Sequence, residues 1–499
     1  MGKGKVIFLK NAALLTATSL LLRFVGMIFR VWLAASIGAE GMGLYQQIFS
    51  VYALISVFAS SGVGLAVTRL VSEELTLGKR CGIDMIVLRS IMLTLFIAVI
   101  SGLAVFLSSD IISVYIMSDD RAAEALRIMC FSLPFMAVSA VLKGYFFARK
   151  KAGPNSSSQL IEQAVRIGFI FMVFSRTEID AESGCAAVLF GDAVAEFSSA
   201  AYLLILWFFD RRRLEKLSGR ERPPYRIVPS FLRIASPIAG GRYLNSLLRT
   251  VENVLVPMNL QKYGMEKDAA LSDFGAIKGM ALPLLLFPAG LLSSVTSLLV
   301  PEMSEAVAAG HKARIKYAAE RSIALTFVAS IPFAVVFFFA AEPLCELIYG
   351  TESVSFPVKA LAPLVPLMYI DSVSDALLKA LDKQMTTFRH SIFDSLGRIA
   401  LILAVLPLSG TAGFIGIMYA SNFFTSLLNL IKLIKTAGAK MSPVKQIFLP
   451  ILITVSAALI FNLVSEHFSL NGLVYIMFLS LSVAAAYLPY LIVSKVVRK

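Results

Sequence analysis

Apolar segments of roughly twenty residues recur along the whole chain, and nothing else constrains its fold as strongly. Each is long enough to carry a helix across a ~30 Å hydrocarbon core. Fourteen stand out, at roughly 9–37, 42–68, 84–108, 121–146, 158–176, 185–209, 229–258, 274–300, 318–340, 357–380, 387–407, 411–431, 446–465 and 472–494. The 499 residues are 58% hydrophobic and 16% charged, with a mean hydropathy of +0.79, which is too little polar surface for a soluble protein of this size. The polar stretches between spans are short, so no separate soluble domain is expected. The chain reads as an all-α integral membrane protein. A secretory signal would also follow Lys3, Lys5 and Lys10, but the first run is too long and Arg23 and Arg30 interrupt it, so it reads as a retained helix.

The net charge of +14 would suit nucleic acid if it were clustered, but it alternates between loops. One set holds Arg69, Lys79 and Arg80, then Arg149, Lys150 and Lys151, then "DRRRLEKLSGRERPPYR" at 210–226, and continues to Lys495, Arg498 and Lys499. The other set is acidic or neutral: Glu40, then Asp110, Asp119 and Asp120, then Glu178, Asp180 and Glu182, then Glu342, Glu346, Glu352 and Glu466. This is the positive-inside pattern on an even-numbered path, and it predicts a multi-pass plasma-membrane protein with both termini cytoplasmic. Membrane lipids, not nucleic acid, are the expected partners of the basic loops. Cys81, Cys130, Cys185 and Cys345 form no CxxC pair, and His311, His390 and His467 form no cluster, so neither a metal site nor a disulfide framework is expected. No Gly-Lys precedes Ser or Thr, which leaves no phosphate-binding loop for a built-in ATPase.

The chain also repeats itself. "GVGLAVTRLVSEELTLGKR" at 62–80 matches "SVTSLLVPEMSEAVAAGHK" at 294–312 in pattern, and "AVLKGYFFARKKAGPNSSSQLIEQAVRI" at 140–167 matches "ALLKALDKQMTTFRHSIFDSLGRI" at 376–399. "SLLLR" at 19–23 echoes "SLLR" at 246–249. These matches predict two pseudo-symmetric six-helix lobes, 1–209 and 229–431, joined by a semi-rigid cytoplasmic linker at 210–228 and followed by two further helices within 432–499. Transporters of this design bind substrate between the halves, near the bilayer midplane.

The first span carries "LLLRFVGMIFRVWLAA", with Arg23 and Arg30 seven residues apart and so on one helix face. Arg23 lies ~20 Å along the helix from Lys10, too deep to snorkel easily. Span seven repeats the spacing with Arg242 and Arg249 in "GGRYLNSLLRTVENVLVP", where Glu252 can partly offset Arg249 at i, i+3. An arginine at a helix centre costs ~2.5–3.5 kcal/mol on insertion scales, so it faces protein or water. The arginines either pair with acids on other helices, such as Asp192, Glu196, Asp371 and Asp375, or line a cationic cavity. Two arginines on the leading helix of each half favour the cavity, which suits an anion, because guanidinium forks match phosphate oxygens.

Glu162 and Arg166 stand at i, i+4 in span five, and Asp394 and Arg398 repeat them in span eleven. With Lys143 and its counterpart Lys379, they are read as lying near the cytoplasmic ends, either as structural ion pairs or as a gate latch meeting across the lobes. Asp192, Glu196, Asp371 and Asp375 are the candidates for ion coupling. Pro134, Pro237, Pro283, Pro288, Pro332, Pro363 and Pro366 fall inside spans and can bend them.

The run from Arg23 to Leu75, with "IGAEGMGLYQ" and "SSGVGLAVTRLVSEE" as its specific parts, resembles the opening of the stage V sporulation protein B group. That group belongs to the polysaccharide-transporter branch of the multidrug/oligosaccharidyl-lipid/polysaccharide exporter superfamily, whose relatives include the lipid II flippases of peptidoglycan synthesis. The resemblance implies alternating access by two lobes that move a polyprenyl-pyrophosphate-linked oligosaccharide from inner to outer leaflet. It implies a cavity lined by Arg23, Arg30 and Arg249, to which the spacing adds Arg242. It also implies that spans thirteen and fourteen hold the polyprenyl tail. No bond is made or broken, so no enzyme activity and no cofactor are expected. The drive is left between membrane potential and a Na+ or H+ gradient, and wall-synthesis enzymes are candidate partners. Two rivals stand: a cation-coupled multidrug exporter of the same superfamily, and a non-transporting membrane scaffold for wall synthesis. Span one has no Asp or Glu, which counts against the first, and the repeated intramembrane charges count against the second.

Overall fold

The structure is a computed structural model that describes residues 3–76, 81–175, 181–215, 227–468 and 471–494. It is helical throughout, with no strand among the described residues. In chain order the helices are α1 (Lys3–Ser60), α2 (Val63–Thr76), α3 (Cys81–Ile111), α4 (Ala122–Cys130), α5 (Ser132–Ala148), α6 (Ala152–Phe174), α7 (Ala181–Glu215) and α8 (Ile227–Lys262). They continue as α9 (Lys267–Phe274), α10 (Leu282–Ala308), α11 (Lys312–Phe339), α12 (Ala341–Tyr349), α13 (Ser355–Leu361), α14 (Val365–Ala380), α15 (Gln384–Ala437), α16 (Leu449–Ser465) and α17 (Gly472–Ser494). The linker stretch 216–226 with its "RPP" lies outside the described residues, as do Lys79, Arg80, Glu178, Asp180 and the last five residues.

Among the described residues, ten helical stretches are long and apolar enough to cross a membrane. Two of them, Leu14–Thr76 and Gln384–Ala437, each cover two of the expected spans. The breaks fall at Gly38 (φ 70°, ψ −178°) and Gly410 (φ 58°, ψ −144°), conformations that residues with a Cβ avoid. Expected spans five and seven are α6 and α8, helical but too charged to pass on hydropathy alone. A count of fourteen is compatible with these helices.

By packing, the chain forms two compact units. The first holds Met1–Phe29 and Leu44–Val254, and the second holds Arg30–Gly43 and Leu255–Lys499. The expected halves 1–209 and 229–431 follow the sequence repeat, whereas the packed units exchange two segments relative to it. In the first unit, α8 runs antiparallel to the end of α1 and to α2. Thr250 Oγ1 donates to the Ser50 carbonyl at 2.8 Å, the Phe58 and Tyr243 rings lie 4.5 Å apart, and Gly62 meets Ala235. Phe231 and Ala235 of α8 join Val63, Val67, Leu70, Tyr145 and Trp207 in one buried core. A second core brings Leu44, Ile48 and Tyr52 of α1 to Met129, Leu133 and Cys185.

In the second unit, Phe327, Ile370, Leu377 and Leu433 form the core between α11, α14 and α15. Helices α16 and α17 pack on α11 through Val335, Ala458, Leu479 and Val483. The exchanged segment Arg30–Gly43 joins this unit by a backbone-to-backbone approach. A Cβ on Gly275 would fall 1.9 Å from the Ala39 carbonyl oxygen, and one on Gly43 would fall 2.1 Å from that of Leu271. Neither backbone can give way, so Gly275→Val is expected to cost about 3 kcal/mol. Gly397→Val, with nothing within 4 Å of its Cβ, should cost far less. Detergent-unfolding titrations of the two variants decide it, and equal losses would contradict the close crossing.

Candidate functional site

Helix α6 begins at Ala152, earlier than the apolar pattern indicates, because "AGPNSSSQ" folds into its first turns. Pro154 suits a first turn, where a backbone N–H has no partner in any case. Asn155, Ser156 and Ser158 are buried there, and Asn155 Nδ2 donates to the Lys143 carbonyl at 3.0 Å. Glu162 and Arg166 therefore stand ten and fourteen residues past the start of α6, and Asp394 and Arg398 stand ten and fourteen past Gln384, the start of α15. At 1.5 Å per residue this is roughly 15–21 Å along each helix. The two pairs stand at matching positions along their helices.

In the first unit the pair belongs to a three-helix cluster. Arg166 binds Asp192 of α7 through Nε, donates to Gln163 Oε1 at 2.8 Å and pairs with Glu162 at 3.2 Å. Lys143 of α5 reaches Glu162 at 3.6 Å. Asp192 and Glu196, one turn apart on α7, are both buried, and Glu196 Oε2 has no hydrogen-bond partner among the described residues. Tyr52 sits in the field of the two α7 acids and accepts a bond from Ser132 Oγ at 2.9 Å. Gln163 also faces α1, its Nε2 lying 4.0 Å from where a Gly26 Cβ would stand, so the cluster is level with the turn that carries Arg23.

The second unit builds its counterpart from other partners. Arg398 binds Asp394, which also accepts from Ser421 Oγ at 2.6 Å. Lys379 pairs with Asp375 of its own helix at 2.5 Å, unlike Lys143, which reaches a neighbouring helix. Asp371 accepts from Asn429 Nδ2 at 2.8 Å, and Asn429 Oδ1 lies 2.7 Å from His390 Nδ1. Each unit thus answers its own buried charges. These ion pairs each lie within one unit.

The four deep arginines are placed differently. Arg23, Arg242 and Arg249 are exposed and Arg30 is half-buried. Arg242 and Arg249 make no ion pair with any described residue. Glu252, three residues beyond Arg249, is buried. Arg23, Arg242 and Arg249 fall in the first unit and Arg30 in the second. Asp192, a sequence candidate for pairing with them, is held by Arg166. Sequence spacing did not point to Gln163 beside Arg166, nor to Ser421, His390 and Asn429, whose contacts join residues 27 to 58 positions apart.

Comparison with known proteins agrees with this architecture. The polysaccharide biosynthesis protein family matches residues 8–307, and the MatE family matches 237–406. The chain is 24% identical to the stage V sporulation protein B of Bacillus subtilis over 479 residues, covering 94% of this chain and 91% of that protein. It is 19% identical to the lipid II flippase MurJ of the same organism, covering 84% and 81%. A solved structure of a lipid II flippase MurJ, in an inward closed conformation, superposes with a TM-score of 0.71 at 16% identity, covering 96% of this chain and 98% of that one. An inward-facing multidrug resistance MATE transporter superposes at 0.65, with 13% identity and coverage of 85% and 98%. With more than half its length matched by the family model, the chain belongs to the polysaccharide biosynthesis protein family.

Proposed function

We propose that this protein is a flippase that carries a polyprenyl-pyrophosphate-linked oligosaccharide, a peptidoglycan precursor or a related surface glycan, from the inner to the outer leaflet by alternating access. One observation carries the reading. Arg23, Arg242 and Arg249 stand exposed on membrane helices, and Arg242 and Arg249 have no acid against them among the described residues. Lipid contact would cost each about 2.5–3.5 kcal/mol, so they face a water-filled space. A pyrophosphate is the anion that a set of guanidinium forks fits, and a polyprenyl tail would stay in the bilayer beside α16 and α17. The similarity to a protein named a lipid II flippase supports this substrate class, and no bond chemistry is required of any residue. The positive-inside pattern of the basic loops supports a cytoplasmic location for both termini.

Transport is driven by membrane potential or by an ion gradient. Asp192 is committed to Arg166, which leaves Glu196 and Asp371 as the stronger coupling candidates. The match of 237–406 to the MatE family favours a second reading, cation-coupled drug export. Reconstitution in liposomes separates them. The expected result is that fluorescent lipid II, or another polyprenyl-pyrophosphate sugar, changes leaflet only with protein present. Transport of an organic cation without any leaflet exchange would replace the first reading by the second.

A further inference from the structure

Away from the deep arginines, the first unit has a groove of about 570 Å³ between α2 and α8. Leu65, Arg69, Leu70 and Glu73 line it from α2, and Ser230, Arg233, Ile234 and Ile238 line it from α8. Each set recurs every three or four residues, so each is one stripe along its helix. Because the helices are antiparallel, Glu73 and Ser230 both lie three residues from their helix ends, whereas Leu65 and Ile238 lie deeper. The groove is therefore charged at its outer end and aliphatic at its inner end, along the axis in which a phospholipid stands. Arg69 pairs with Glu73 at 2.9 Å, while Arg233 is exposed and makes no ion pair or hydrogen bond with a described residue. The sequences flanking the outer end, "GKR" and "RPPYR", are basic as well. The groove's formal charge of plus one matches a single phosphodiester with no compensating ammonium.

Arg233 precedes Arg242 by nine residues, about two and a half helical turns, so it points to the opposite side of α8 from the Arg242–Arg249 face. This groove is not part of the proposed substrate cavity. We propose that it is a binding site for an anionic phospholipid of the leaflet at its basic end, with the phosphate on Arg233 and Arg69 and an acyl chain along Leu65, Ile234 and Ile238. The site depends only on the protein's lying in a membrane, not on what it transports.

Native mass spectrometry of the full chain, titrated with dioleoyl-phosphatidylglycerol or dioleoyl-phosphatidylcholine, tests this. The wild-type protein is expected to retain phosphatidylglycerol about tenfold better, the worth of one charge-assisted contact. Arg233→Gln should bring the two lipids near parity, and Arg69→Gln/Arg233→Gln should abolish the preference. Arg242→Gln, on the other face, should keep it. Leu65→Trp, which leaves both arginines in place, should weaken dioleoyl lipid while sparing dihexanoyl-phosphatidylglycerol. Wild-type preference in the double variant would overturn the site. So would loss of preference in Arg242→Gln, which would put the lipid with the substrate arginines. Displacement by equimolar inorganic phosphate would overturn the lipid assignment in favour of a soluble anion.

Discussion

Reconstituted with Arg249→Ala, or with Arg23→Ala, the protein is expected to insert and fold as wild type and to move a lipid-linked oligosaccharide about 10- to 100-fold more slowly. The factor corresponds to one lost charge-assisted contact of ~1.5–3 kcal/mol. Both side chains are exposed, and Arg249 has no ion pair among the described residues, so shortening it strands no partner. Exposed substitutions of that kind usually change stability by less than ~0.5 kcal/mol. Arg249→Lys should recover only part of the rate, since an ammonium keeps the charge and loses the planar fork. Leaflet exchange in liposomes, read beside the fraction of folded protein on gel filtration, gives both quantities. Normal exchange in both alanine variants would make these arginines structural and remove the anion-cavity reading.

Much of this was legible before any coordinates, and the boundary is physical. Hydropathy is local, so it found the spans, and it failed only where polar residues join a helix. Asn155, Ser156, Ser157 and Ser158 look like a loop but are the early turns of α6. The i, i+4 pairs were visible because they lie within one helix. Asp192 as the further partner of Arg166, Ser421 as that of Asp394, and the Asp371–Asn429–His390 chain were not, because they join residues 26 to 58 positions apart whose contact only packing creates. The close approach of Gly275 to Ala39 and the groove of Arg69 and Arg233 are tertiary for the same reason.

The two ion-pair clusters predict stability losses of different size although their sequences look alike. Arg166→Met removes the cation that binds Asp192 and Glu162 together, and buried Asp192 makes no other hydrogen bond among the described residues. Breaking a buried pair by removing one partner costs about 3–5 kcal/mol, because the remaining charge is left in a poorly solvating interior. Arg398→Met leaves Asp394 the Ser421 hydroxyl at 2.6 Å, so part of its charge is still answered, and the loss should be nearer 1–3 kcal/mol, about the cost of one unsatisfied group. Adding Ser421→Ala to Arg398→Met should bring the second unit's loss up toward that of Arg166→Met. Adding Asp192→Asn to Arg166→Met should return stability instead, since the charge is removed with its partner, and the pair of changes should be far from additive. Unfolding titrations of these four variants in mixed micelles read every term. Equal losses for Arg166→Met and Arg398→Met would mean that the carboxylates of the first cluster are answered by water, and that its three-helix arrangement contributes little to holding α5, α6 and α7 together.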